Sequence, residues 1–300
     1  MATPPRNIQP GALVEVSRRT IAGFFMLTAH KLVIQTFLYL LALYTTRFGI
    51  KLVGAVMMLN HFHLLMIDEE GNTPKFMQLF DANLAKFLNR FHKRKGTVWC
   101  ANGYTPLTPV SPQAQLDRFR YLLNNPLAAN LIERLKDYPF VCVREGDILD
   151  DLVIERPSFF GKRSSLPKTA TLKYHKLPAY EHLDDDAYVA FVADEVQQAE
   201  DRHIAERKRK GVRVMGRQRL QQVVWRQHPK KEGALFQLRP QIAERDPALR
   251  IAAIRTLQRF RARYREALAA WHAGDKDTVF PYGTWKMRIQ FGVRVEPAPS

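Results

Sequence analysis

Cysteine is scarce in this sequence: Cys100 and Cys142 are the only two in 300 residues. Two thiols cannot build a disulfide framework or a four-cysteine zinc site, and they fit a reducing cytoplasm. Residues 1–10 hold no apolar leader core and no small-residue cleavage site, so secretion is not expected. Nor is there a run fit to span a bilayer, which needs about 20 apolar residues. Residues 32–44 (LVIQTFLYLLALY) come nearest, but Gln35 interrupts them and His30, Lys31 and Arg47 flank them. They read as a buried helix, and no membrane partner is expected. Internal repeats and low-complexity tracts are absent as well. Acids are short in supply: 29 Asp and Glu stand against 46 Lys and Arg, a net charge of +17. A field of that sign draws polyanions, nucleic acid first among them.

Hydrophobic residues at 46% and charged residues at 25% are ordinary for a folded chain, so disorder is not the default. Residues 1–11, with three prolines and Gly11, read as a flexible lead-in. A strand is expected at 12–16 and a long helix at 29–48, ended by Gly49. Two β-rich runs follow, 50–58 and 61–67. Thr73 as N-cap and Pro74 at the first helical position open a helix. Phe76, Phe80, Leu84, Phe87, Leu88 and Phe91 form its apolar stripe. An irregular strand or hairpin is expected over 97–110, a helix over 113–124, and a second helix restarted by Pro126 and running to about 135. The order β-α-β-β-α-β-α over 12–135 predicts an α+β fold with a ferredoxin-like antiparallel sheet and packed helices. Residues 151–300 read as a basic, largely helical accessory region with helices at 184–210 and 247–272 and a short strand pair between 279 and 295.

The chemistry-bearing residues fall in the first half. In His61-Phe62-His63 the two imidazoles stand at i and i+2, hence on one face of a strand, which makes half of a metal site. An isolated His-x-His is common, and most copies bind nothing. Tyr121 and Asn125 stand at i and i+4, neighbours on one helical face. A tyrosine nucleophile and an oxygen ligand one turn apart can meet one metal-bound phosphate. The same pair also suits a half-buried tyrosine and a helix cap before Pro126, and spacing alone leaves both readings open.

LNHFHLLM (59–66) followed by RFRYLLNNPLAANLIERLKDYPF (118–140) resembles the single-tyrosine HUH transposases of the REP-associated and insertion-sequence kind. That family is similar in its NHxHLL strand, its Tyr-x-x-x-Asn-Pro segment and the tail that follows. VEVSRRTIAGFFML (14–27) resembles its first strand and loop, and Val98-Trp99 with Gly103-Tyr104 resembles another of its segments. The resemblance covers roughly residues 12–145. It implies that Tyr121 is the nucleophile and that His61, His63 and Asn125 hold Mg²⁺ or Mn²⁺. It implies a single-stranded or hairpin DNA partner, a 5′-phosphotyrosine intermediate and rejoining without ATP. A homodimer with its sites in trans and a monomer acting in cis both occur in the family. Met58-Leu59 stands where the family often has Met-Pro, and Cys100 where it often has a carboxylate. Residues 151–300 lie outside the match. These departures bear on the DNA target rather than on the chemistry.

The implied organisation is a lead-in (1–11), a nuclease domain (12–150) and a DNA-binding accessory region (151–300). The implied location is the cytoplasm, at the nucleoid. The other reading is a domesticated DNA- or RNA-binding regulator with weakened activity. For phosphate contact the candidates are Arg18, Arg19, Lys93, Arg94 and Lys95, and the run from Arg202 to Lys231, above all Arg207, Lys208, Arg209 and Lys210. For base stacking they are Trp99, Tyr104 and Trp225. Tyr104 is also the second candidate nucleophile.

Overall fold

A computed structural model describes residues 5–101, 103–143, 145–161, 163–229 and 240–298. The first strand, β1 (Leu13–Arg19), leads through a single 3-10 turn to helix α1 (Lys31–Arg47). Strands β2 (Ile50–Met57) and β3 (His61–Asp68) precede α2 (Thr73–Phe91), β4 (Thr105–Pro109) and α3 (Pro112–Ala128). Beyond these lie the hairpin β5 (Asp151–Glu155) and β6 (Thr169–Lys173), then α4 (Asp185–Lys210) and α5 (Arg217–Gln221). The described chain closes with β7 (Ile242–Ala243), α6 (Pro247–His272) and α7 (Lys286–Phe291).

The fold is α+β. The main sheet has the order β2-β3-β1-β4-β7. Its first four strands pair antiparallel in the ferredoxin-like arrangement, and β7 adds a short parallel edge. The period-2 alternation of β3 assigns its two faces. Phe62 points toward α1 and α2, where its ring meets Phe37 at 5.4 Å and Phe80 at 5.5 Å between centroids, both edge to face. His61, His63 and Leu65 point the other way, toward α3. Gly54, opposite Leu65 on β2, lets α3 approach: a Cβ there would lie 3.1 Å from Leu122. Sheet and helices thus make three layers, with the candidate site between sheet and α3.

Two helix boundaries depart from the sequence expectation. Thr73 is the first residue of α2, and its cap comes from the end of β3. The Asp68 carboxylate accepts from the Asn72 and Thr73 backbone N–H groups at 2.7 and 2.6 Å and from the Thr73 hydroxyl at 2.6 Å. A carboxylate at a helix N-terminus also meets the positive end of the dipole. Pro126 does not restart a helix, because α3 runs through it to Ala128. So near the C-terminal end the proline removes one backbone bond, and the Asn124 and Asn125 amides donate to the Arg120 and Tyr121 carbonyls, bracing that turn. The strand pair expected between 279 and 295 is a lone parallel bridge, Phe280 to Val295, because the residues between them wind into α7.

The main core is continuous across residue 150: Leu172, Tyr174, Tyr188, Val192 and Leu220 belong to the same buried cluster as the sheet. Ala267, Phe280, Met287 and Val293 form a second, smaller cluster. Residues 5–11 are tethered rather than free. Arg6 lies 3.9 Å over the Tyr104 ring, and the Ile8 N–H donates to the Gly283 carbonyl at 3.0 Å. No helix among the described residues is long and apolar enough to cross a membrane.

Candidate functional site

Strand parity brings His61 and His63 together, with ring centroids 5.2 Å apart. The α3 helix brings Tyr121 to them, its ring 5.3 Å from that of His63. Tyr121 is 41% exposed, so solvent can reach it. The Asn125 side chain lies in hydrogen-bonding range of both the His61 ring and the Tyr121 side chain. The four residues read from the sequence therefore converge on one place.

Both imidazoles are oriented from behind. His61 Nδ1 meets the Asn60 Oδ1 at 2.7 Å, while Asn60 Nδ2 donates to the Gly23 carbonyl at 3.2 Å. The amide oxygen can only accept, so His61 Nδ1 carries the proton and Nε2 keeps its lone pair. His63 Nδ1 meets Glu15 Oε1 at 2.7 Å, which fixes the orientation of that ring. Burial, His63 and Arg19 push the His61 pKa down to about 3, so the ring is neutral at pH 7. Two imidazoles with an amide oxygen nearby suit a divalent cation, and a carboxylate and an amide that orient the rings from behind are what such ligands need. Among the described residues no group of three or more His, Cys, Asp and Glu side chains is arranged to hold a metal. The candidate donor set is thus two histidines completed by Asn125.

Glu15 and Arg118 were not singled out by the sequence. Glu15 is 2% exposed, and its two oxygens are divided between His63 and Arg118. Burial pushes its carboxyl up, but the hydrogen bonds from His63 and Arg118 outweigh that and hold it below the usual range. Arg118 Nε donates to Glu15, and the guanidinium lies 4.1 Å over the Tyr121 ring. One buried carboxylate thus ties the histidine strand to the tyrosine helix. The available signals were an acid inside an apolar strand and an arginine one turn before Tyr121. The Tyr121 hydroxyl is raised above its ordinary value, first by burial and then by the Glu15 charge, against Arg118 and Asn125.

The wider surface departs from expectation in several places. Trp99 is 5% exposed and donates its indole N–H to the Asp81 carbonyl, so its ring has no free face for a base. Tyr104 is 6% exposed under Arg6, and burial lifts its hydroxyl to about 12, which removes it as a second nucleophile. Arg18 pairs with Asp81 at 2.9 Å and donates to the Cys100 carbonyl, an internal role. Arg207 is buried and donates to the Leu127 carbonyl, so it too leaves the surface set. Lys208, Arg209 and Lys210 remain exposed on the last turn of α4, with Lys210 paired to Glu206. Arg19 is exposed on the strand position facing His61. Lys93 and Lys95 are exposed, and Arg94 reaches the Thr97 carbonyl. Trp225 is partly exposed, with its ring 5.5 Å from that of His92 and Arg226 lying 5.3 Å over it. Of the run from Arg202 to Lys231, Lys230 and Lys231 lie outside the described residues.

The fold and site define an α+β protein with a His-x-His strand facing a helix-borne tyrosine. No family model matches the chain, and no curated protein does. Among solved structures, the chain is similar to a REP-associated tyrosine transposase bound to a REP hairpin. That likeness has a TM-score of 0.40 at 12% identity and covers 49% of this chain and 85% of that one. It is also similar to a presumed transposase from Deinococcus radiodurans R1, with a TM-score of 0.29 at 20% identity, covering 41% of this chain and 97% of that one.

Proposed function

We propose that the protein is a transposase-like nuclease that cuts and rejoins single-stranded or hairpin DNA through Tyr121. The observation that carries this reading is the packing of the exposed Tyr121 ring against His63, with Asn125 in range of Tyr121 and His61. Tyr121 Oη would give up its proton to solvent and attack the scissile phosphorus, forming a 5′-phosphotyrosine while the 3′ oxygen leaves and takes up a proton. The phosphoester energy is kept, so another 3′ hydroxyl reverses the step and joins strands without ATP. His61, His63 and Asn125 would hold Mg²⁺ or Mn²⁺. Such a cation, when bound, polarises the phosphoryl oxygen and stabilises the charge that develops there. Arg118 would hold the Tyr121 ring by its cation–π contact and present positive charge beside the attacking oxygen. Arg19 would meet a flanking phosphate.

The test is a cleavage assay on labelled single-stranded hairpins with and without Mn²⁺, comparing wild type with Tyr121→Phe. The expected result is a covalent protein–DNA adduct that needs both the metal and Tyr121. No adduct from wild type across a broad pool of hairpins overturns the reading. Cutting that survives in Tyr121→Phe would move the nucleophile elsewhere.

A further inference from the structure

Past the C-terminal end of α3 lies a cleft of about 520 Å³, separate from the His61–Tyr121 site. Asn130, Arg213, Arg219, Gln222 and Gln227 line it, and Met215 and Val223 supply an apolar part. Its walls are fixed by backbone bonds. The Met215 and Gly216 N–H groups donate to the Asn130 and Leu131 carbonyls at 2.8 and 2.9 Å, strapping one wall to the segment after α3. Leu220, fully buried, anchors α5 in the main core. On the other side the Phe25 N–H donates to the Gln227 carbonyl at 2.8 Å, tying that wall to the loop after β1, the same loop whose Gly23 carbonyl holds Asn60. The cleft is therefore walled mainly by residues 213–227, which backbone bonds tie to the segment after α3 and to the loop after β1.

No carboxylate lines it. Among the described residues neither Arg213 nor Arg219 has an acidic partner. Arg120, on α3, and Arg134, just after it, are by contrast held by Glu195 and Glu200. Two unpaired guanidiniums suit phosphate oxygens. Three carboxamides offer paired donors and acceptors, the chemistry that reads base edges. The thioether and the valine suit the face of a base.

We infer that this cleft holds an unpaired nucleotide segment of the DNA strand that Tyr121 attacks, away from the cut phosphate. The identity of the strand rests on the proposed function; the binding does not. The test uses the full chain carrying Tyr121→Phe, so that binding is read without cutting, and a fluorescent single-stranded DNA as probe. Replacing Arg213 and Arg219 together by Gln is expected to weaken binding roughly tenfold or more. It should also make the log–log salt dependence shallower by about 1.4, two phosphate contacts at about 0.7 each on a single strand. The same strand annealed to its complement should bind as before. Gln222→Ala with Gln227→Ala should shift base preference in a randomised pool and leave the salt slope alone.

Unchanged affinity and slope in the arginine variant overturn the inference. So does an equal loss on the duplex, which would mark a diffuse field instead of a strand site. Tighter binding of RNA of the same sequence overturns the assignment to DNA, and an unshifted base preference in the glutamine variant overturns base reading. Wild-type cutting is scored separately. Lost strand binding in a protein that never cuts leaves the cleft standing without the nuclease reading, and cutting with unaltered strand binding does the reverse.

Discussion

In the sheet and its helices, Arg18, Arg118 and Arg120 each meet a buried or half-buried carboxylate, from Asp81, Glu15 and Glu195. On α6, Arg255 and Arg259 stand exposed with no acidic partner among the described residues, and only Phe260 and Ala267 of that helix are buried. The first set fixes geometry, since a charge removed from water needs a counter-charge in a defined place. The second contributes field. The net charge of +17 therefore overstates what the first half offers to a polyanion and understates the second.

Removing the carboxylate of Glu15 should break this contrast most severely. Glu15→Gln takes the counter-charge from Arg118 and leaves one acceptor oxygen for two donors, Arg118 and His63, and it should cost about 3–5 kcal/mol of stability. Mn²⁺ affinity should fall about 10- to 100-fold with it, as loss of a second-shell partner does. Urea titration and calorimetry read the two effects; a stable variant with unaltered Mn²⁺ affinity would show that Glu15 organises neither element.

Gly54→Val comes next. The added side chain meets Leu122 and Val143, so overpacking should cost about 1–3 kcal/mol and lift α3 off the sheet. Adduct formation should drop more than stability, and a fall in stability alone would mean that α3 keeps its place.

The pH profile tests the electrostatics of the tyrosine. Its phenol sits above the ordinary value, so at pH 6–9 it is protonated and the reactive phenolate fraction grows about tenfold per pH unit. The cleavage rate should climb across that window without a plateau. Levelling by pH 8 would place the ionisation below the ordinary range and contradict the raised hydroxyl.

The smallest effects belong to α6. Arg255→Ala and Arg259→Ala should each change stability by no more than about 0.5 kcal/mol. If that face contributes to the field, the pair should weaken DNA binding chiefly at low salt; an equal loss at high salt would show a specific contact instead.

Much of the site was legible because its signals are local. His61 and His63 share a face by strand parity, and Tyr121 and Asn125 by helical spacing, whatever surrounds them. The β-α-β-β-α-β-α order was legible for the same reason, since each element carries its own apolar period. Trp99, Tyr104, Arg18 and Arg207 were misplaced on the surface because burial is a property of what packs on a residue. Arg6, Asp81 and Leu127, which cover or hold them, are distant in sequence.

Amino-acid order alone thus determined the strand, the helix and the two polar side chains that each presents. Tertiary structure decided that those two faces meet. Gly54 permits the approach of α3, and one buried carboxylate on β1 holds His63 with one oxygen and Arg118 with the other. Glu15 lies diagonally across the sheet from His63 and on a different layer from α3. No period along the chain could have announced that contact, because it is made by the sheet order and by the close packing of a helix on it.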